Sequence, residues 1–354
     1  MIYYDIRKDI EAYPEADVFI IWSRRGPGKT YSTLRMAYED GLKIIYLKRT
    51  KHDVEFITNM GPNGEDQSPY APLNRDFGWK IQPVQTKDYS SFYNIDEEGN
   101  PYGEPVSIVF ALSQIKDVKG FELSDCDWLV FDEFIPQPGE IIRKAEGAML
   151  LSIYETISRD RVERGKEPLK LILLANAEEI STPITREMEL IDEIVEVTGM
   201  KQPRHIRYNE ERGCVMHHLS QEEFPIDEKR NSRGMARFMT GTSWYDKAYG
   251  GQFTSNDFSC VGNKSLKHAK PYIELLFKRH KIYIYMYDDG SMFVTDSPSK
   301  HSIFSFNLNR ENEQRKFYLD RYFDILERYT NDMVIFKKYS YLDLIINIKQ
   351  YFDL

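Results

Sequence analysis

DVFIIWSRRGPGKT, residues 17–30, decides how the rest of the chain is read. The apolar run Val18 to Trp22 has the length and composition of a short buried strand. Two glycines follow, then Lys29 and Thr30, then YSTLRMAYEDG, whose apolar positions suit a helix closed at Gly41. A second apolar strand, KIIYLKR, follows at 43–49. Strand, glycine turn, helix and strand make the opening of a βαβ unit. The turn itself is close to G-x-x-x-x-G-K-[ST], the loop whose backbone N–H groups and following helix N-terminus face phosphate oxygens. Ser23 stands where the first glycine would be. Ser23, Arg24, Arg25, Gly26, Pro27, Gly28, Lys29 and Thr30 form the candidate phosphate loop. Gly26 and Gly28 permit the tight curl, Lys29 can reach the β- and γ-phosphates, and the Thr30 hydroxyl can ligate magnesium. The plain alternative is a glycine turn with a helix-capping threonine.

Further buried-strand patterns occur at SIVFAL (107–112), DWLVFDEF (127–134) and LKLILLAN (169–176). Continuous apolar runs are expected of parallel strands covered on both faces. Between the last two, AMLLSIYETISRDRVERG (148–165) predicts one helix with a glycine stop. Ile81 to Ile95 suggests edge strands, and Gly61 to Asn74 reads as loop. Residues 1–200 are therefore expected to form one α/β domain and residues 201–260 a linker region or small subdomain. In residues 261–354, tyrosine-rich alternation, a turn at Asp289-Gly290 and a helical pattern over 312–329 predict a small α+β domain.

The acidic strand supplies the second half of a site. Asp132 falls at the C-terminal end of LVFDEF, where it could hold a magnesium shell, and Glu133 beside it could orient and deprotonate an attacking water. An acidic doublet alone is weak; following a glycine loop in this order, it points to hydrolysis of ATP. Asn176, at the end of LKLILLAN, is placed to sense a γ-phosphate or that water, or simply to turn the chain. Arg159, Arg161 and Arg164 share the predicted helix with Asp160 and Glu163, either as solvated charges or as a source of an arginine for a neighbouring subunit's site. Lys116 and Lys119 lie in a predicted loop and could line a pore or meet phosphate.

Bulk properties are compatible with this reading. The chain has 354 residues, 41% of them hydrophobic and 14% aromatic, enough for a large core. Its three cysteines, Cys126, Cys214 and Cys260, have neither disulfide nor metal-ligand spacing and suit a reducing cytoplasm. The N-terminus carries charges where a signal peptide needs an apolar stretch, and no run reaches the roughly 18 apolar residues that span a bilayer, so a soluble protein is expected. Net charge is -9, split as +3 over residues 261–354 and -12 before them, a weak tilt toward phosphate contacts in the second part.

SRRGPGKT, LSQIKDVKG, LVFDEF, ISRDR and LLANA, in this order, resemble the genome-packaging ATPases of small tailed bacteriophages with protein-primed linear double-stranded DNA, a compact branch of the terminase-like, FtsK/HerA-related motors. The resemblance is specific over about residues 15–200 and thins beyond. It implies a P-loop NTPase of the additional-strand catalytic-glutamate type, then a linker subdomain and a small RNase H-like α+β C-terminal domain without nuclease activity. It implies ATP and Mg2+ as cofactors, with Lys29 and Thr30 on phosphate and magnesium, Asp132 organising magnesium and Glu133 catalytic. Arg159 matches the family's trans-acting finger, and Lys119, with Lys116 as the fallback, its second basic interface residue. The implied partners are double-stranded DNA, a homo-oligomeric ring expected to be a pentamer, and the portal of a prohead, with or without a structural RNA. No membrane is involved, and the site of action is the infected host's cytoplasm. The terminase nuclease needs clustered carboxylates, whereas Asp288, Asp289 and Asp296 are the only close acidic group on the hairpin, the first two of them in its turn. An ATPase or helicase-like protein acting on RNA or protein, and an assembly factor without significant turnover, are the alternatives.

Overall fold

The computed structural model describes residues 3–61, 65–85, 89–114, 123–137, 139–159, 161–225, 234–242, 245, 256–299 and 301–354. Two compact units partition the chain: Met1–Met188 with Glu196–Ser255, and Glu189–Val195 with Asn256–Leu354. Among the described residues no helix is long and apolar enough to cross a membrane.

The first unit is built on β1 (Val18–Ser23), β2 (Ile44–Lys48), β3 (Ile81–Gln85), β4 (Ser90–Ile95), β5 (Pro101–Ala111), β6 (Trp128–Asp132), β7 (Lys170–Asn176), β8 (His205–Asn209) and β9 (Cys214–Leu219). They form one sheet in the order β3-β4-β5-β2-β6-β7-β1-β9-β8. The six strands from β5 to β9 in that order run parallel, and antiparallel strands finish both edges. Phe19, Ile20, Ile21 and Trp22 of β1 are all fully buried, each such side chain contributing roughly 1.5–3 kcal/mol. That two-sided burial is why the parallel strands read as unbroken apolar runs. β7 lies between β1 and β6, so the glycine-loop strand and the acidic strand are separated by an additional strand, as the expected fold class requires.

Residues 198–221, read as short alternating stretches with turns, supply β8 and β9 and extend this sheet beyond β1. Their alternation is weak because β9 is buried along its whole length while β8 is half-exposed.

The helices of this unit are α1 (Arg7–Ala12), α2 (Lys29–Glu39), α3 (Lys51–Thr58), α4 (Ala71–Phe77), α5 (Glu146–Ser158), α6 (Pro183–Glu187) and, after α7 (Ile191–Thr198), which the division between the units crosses, α8 (Gly234–Phe238). Leu34, Met36 and Ala37 of α2 join Phe19, Ile21, Val130 and Ile172 in the core. Thr50 caps α3 through a reciprocal pair of bonds with Asp53. The N-terminal segment braces the glycine loop: Tyr4 N donates to Pro27 O at 2.9 Å and Ile6 N to Ser32 Oγ at 2.7 Å. Buried Asp9 accepts from Tyr4 Oη at 2.8 Å and lies 2.6 Å from His217 Nδ1, while His217 Nε2 lies 3.0 Å from Glu223. Burial disfavours the charged imidazole, but its hydrogen bonds to Asp9 and Glu223 prevail and raise its pKa.

The expected single helix over 148–165 is corrected. α5 ends at Ser158, Arg159 has left helical geometry (φ −52°, ψ 134°), and 161–165 form turns. Arg161 is 1% exposed rather than solvated. Its guanidinium donates to the carbonyls of Ser124 (2.6 Å), Cys126 and Glu167 (3.1 Å) and lies 3.4 Å from Asp127. Arg164 donates to Ser124 Oγ at 2.9 Å. These contacts to the residues entering β6 outweigh the local helical preference.

The second unit holds β10 (Lys270–Phe277), β11 (His280–Met286), β12 (Met292–Thr295), β13 (Phe304–Asn307) and β14 (Val334–Phe336), in the order β13-β10-β11-β12-β14. β10 to β12 form an antiparallel meander and β13 adds parallel to β10, a layout in keeping with an RNase H-like start; β14 adds parallel to β12 at the other edge. Gly290, at φ +81°, makes the turn between β11 and β12 that only a residue without Cβ adopts readily. The pattern over 312–329 is α9 (Glu311–Phe317) and α10 (Phe323–Thr330), joined by one π-helical turn over Tyr318–Tyr322. Asp288 pairs with Lys270, Asp289 caps Ser291 and Asp296 pairs with Lys337 and Lys338, so each acid has its own partner.

Because Arg161 satisfies two buried carbonyls, at Ser124 and Cys126, Arg161→Ala should lower stability by about 2–4 kcal/mol. The urea midpoint is the measurement; Arg159→Ala, at an exposed position, should leave it unchanged.

Candidate nucleotide-binding and hydrolysis site

The C-terminal ends of β1, β7 and β6 open onto a cleft of about 510 Å³ whose lining includes Gly26, Gly28, Lys29, Thr30, Asp132 and Asn176. Gly26 and Gly28 take φ of +108° and +94°, curling the chain so that α2 begins at Lys29. The first amide paired within the helix is that of Ser32, to Gly28 O at 2.9 Å. The amides before it belong to the first turn, which has no intrahelical acceptors and favours an anion.

Ser23 needs no glycine's freedom because it is still strand, in register with Asn176 on one side and Leu219 on the other. Its hydroxyl donates to Arg24 O at 2.5 Å and accepts from Lys29 Nζ at 2.6 Å. Lys29 Nζ also reaches Arg24 O and Asn176 Oδ1, both at 3.3 Å. Burial lowers the Lys29 pKa to about 8 against the attraction of Asp132, with Arg24 adding repulsion. Asp132 is gripped by two hydroxyls, Thr30 Oγ1 at 3.1 Å and Tyr46 Oη at 2.6 Å. The Thr30 hydroxyl and Asp132 carboxylate are adjacent hard oxygen donors, a set that suits Mg2+.

Glu133 follows β6 in left-handed geometry, φ +60°. For a residue with a Cβ this costs on the order of 1–2 kcal/mol and needs support from its surroundings. The turn brings the carboxylate into the cleft, where Gln137 Nε2 donates to Oε1 at 2.8 Å and Lys48 Nζ to Oε2 at 3.0 Å. Gln137 in turn accepts from Arg25.

The structure thus brings Ser23, Gly26, Gly28, Lys29, Thr30, Asp132, Glu133 and Asn176 together, with Arg25 at the edge. Arg24 and Pro27 face elsewhere: Arg24 is buried and donates to Phe224 O at 2.8 Å, tying the loop to the segment after β9. Arg159 is exposed at the end of α5 and is not part of this cleft. Lys116 and Lys119 lie outside the described residues. Tyr46, Lys48 and Gln137 were not foreseen. Only the polar end of KIIYLKR, aligned beside the acidic strand, hinted at Lys48.

No family model matches the sequence, and no curated protein matches it. The fold is similar to that of "The bacteriophage Phi-29 viral genome packaging motor assembly", with TM-score 0.65, 15% identity and 99% of each chain covered. It is likewise similar to "The Phi-28 gp11 DNA packaging Motor", with TM-score 0.61, 17% identity, and 96% of this chain and 94% of that one covered. The shared fold therefore extends over both units.

A polyphosphate on Lys29 replaces the missing solvation and raises its pKa again. Binding should take up protons near and above pH 8, and affinity should fall as pH rises through that value. Calorimetric titration of nucleotide in buffers of different ionisation enthalpy measures the uptake; Lys29→Met should abolish it.

Proposed function

We propose that this chain is an ATP-driven translocase of double-stranded DNA, one subunit of a ring that packages a viral genome. The observation that carries this reading is the placement of Glu133. A second carboxylate, held by its own donors beside the Thr30–Asp132 pair and Lys29, has a use where a water must be aimed at a phosphoryl group. The end-to-end likeness of fold to two packaging motors supports the cargo.

In this reading the backbone N–H groups of Gly26, Gly28, Lys29 and Thr30, with the Lys29 ammonium, hold the β- and γ-phosphates, and Asn176 marks the γ position. Thr30 and Asp132 would hold Mg2+, which offsets phosphate charge when bound. Glu133 orients the water and takes its proton. Arg159, exposed at the end of α5, is offered to a neighbouring subunit, where it would stabilise charge developing on the transferred phosphoryl group. Lys119 is assigned the second interface role. The ring is a pentamer on the portal of a prohead, with or without a structural RNA between them, in the cytoplasm of the infected cell. The second unit contacts nucleic acid without cutting it. Grip on the DNA backbone is electrostatic and independent of sequence.

Purified protein should hydrolyse ATP, faster with double-stranded DNA and less so as salt rises. Glu133→Gln should keep nucleotide binding and lose about 10²–10⁴-fold in turnover. Binding without hydrolysis, even with oligomerisation enforced, would replace the motor by an assembly factor.

A further inference from the structure

Arg49, the residue after β2, is 5% exposed and inserts beneath the Glu133 turn. Its Nη2 donates to Glu133 O at 3.2 Å and Phe134 O at 2.9 Å. Its Nε meets Glu140 at 3.1 Å, and its Nη1 meets Glu146, which is 3% exposed at the first position of α5. Glu146 is fixed on its other oxygen by Arg143 N at 3.2 Å. One guanidinium therefore joins three things: the two successive carbonyls of the left-handed residue and the one after it, the start of α5, and the loop between them.

We propose that Arg49 is a positioning residue for hydrolysis, holding the backbone of the Glu133–Phe134 turn so that the Glu133 carboxylate faces the phosphate cleft, with Glu146 fixing Arg49. The proposal rests on the reading of Glu133 as the hydrolytic carboxylate. A purely structural ion pair needs only Arg49 and Glu146. Two of the four contacts instead go to the backbone carbonyls of Glu133, the one non-glycine residue with positive φ among the cleft residues, and of Phe134 after it. The geometry demands a fork: a lysine is a single donor point and cannot span two successive carbonyls and a carboxylate on opposite edges. Phe134 N is already engaged by Leu174 O at 3.1 Å, so the turn is pinned to β7 on one side and to Arg49 on the other. Small displacements of a reacting group are expensive; about 1 Å can cost on the order of 100-fold in rate.

The test compares kcat, KM and the affinity for a fluorescent ATP analogue with Mg2+ in the full chain, with Glu133→Gln as control. Arg49→Lys should lower kcat about 10- to 100-fold, with nucleotide affinity within about twofold of wild type. Glu146→Gln, which keeps an acceptor for Arg49, should retain kcat within a few-fold. Should Arg49→Lys not fold, the double variant Arg49→Met with Glu146→Leu removes both charges together, a change that buried pairs tolerate. It should restore the urea midpoint while kcat stays low. Recovery of kcat together with stability, a double variant that does not fold, or a folded Arg49→Lys with wild-type kcat would each assign Arg49 to stability alone and overturn the proposal. Hydrolysis indifferent to Glu133→Gln, or absent from wild type, would instead overturn the reading on which it rests.

Discussion

Parallel pairing of β6, β7 and β1 is the constraint on which the site depends. It brings three strand ends to one edge of the sheet, where an open α/β sheet offers its crevice. With strands about 4.8 Å apart, the inserted β7 sets the acidic strand about 9.6 Å from the loop strand, room for a phosphate chain between them. Lys29 and Thr30 reach in from one side and Asp132 and Glu133 from the other, and Asn176 closes the gap from β7 itself.

Two buried lysines in this region are pushed in opposite directions. Lys48 has its pKa raised, because Asp132 and Glu133 outweigh the cost of its burial. Lys29 has its pKa lowered, because burial prevails and Arg24 repels it. One cation is satisfied by the protein's own carboxylates. The other hydrogen-bonds to the dipoles of Ser23, Asn176 and a carbonyl, the attraction of Asp132 and Glu133 does not offset its burial, and it is poised for an anion from outside. The same carboxylates thus neutralise the lysine on β2 while leaving the lysine on α2 short of charge.

Much of this was legible in the sequence where meaning is local. The glycine loop, the acidic doublet and Asn176 each sit at the polar end of an apolar run, and strand ends are where parallel sheets place their chemistry. Lys48 and Arg49 also end an apolar run, but nothing local says what they or Tyr46 meet: their roles exist only because β2 pairs with β6, a fact of topology rather than of spacing. Gln137 belongs to a loop with no pattern at all. Arg161 was misread because helical periodicity in 148–165 says nothing of carbonyls left unpaired at 124 and 126, which draw the arginine inward. The end of the first sheet was missed for a similar reason, since β8 and β9 read as irregular until β1 gives them an edge to extend.

The position of β1 also has a consequence for how the chain acquires its site. Its two neighbours, β7 and β9, come from far along the sequence: Lys29 and Asn176 are 147 positions apart, and Arg24 and Phe224 are 200 apart. Such pairings are slow to form, because the entropy of closing a long loop is lost before any contact compensates it. During synthesis the phosphate loop leaves the ribosome well before the strands and segments that complete it. Until β9 has emerged, the flank of β1 is an open edge of apolar strand, and the nascent chain must be shielded over that interval before it can hold a nucleotide.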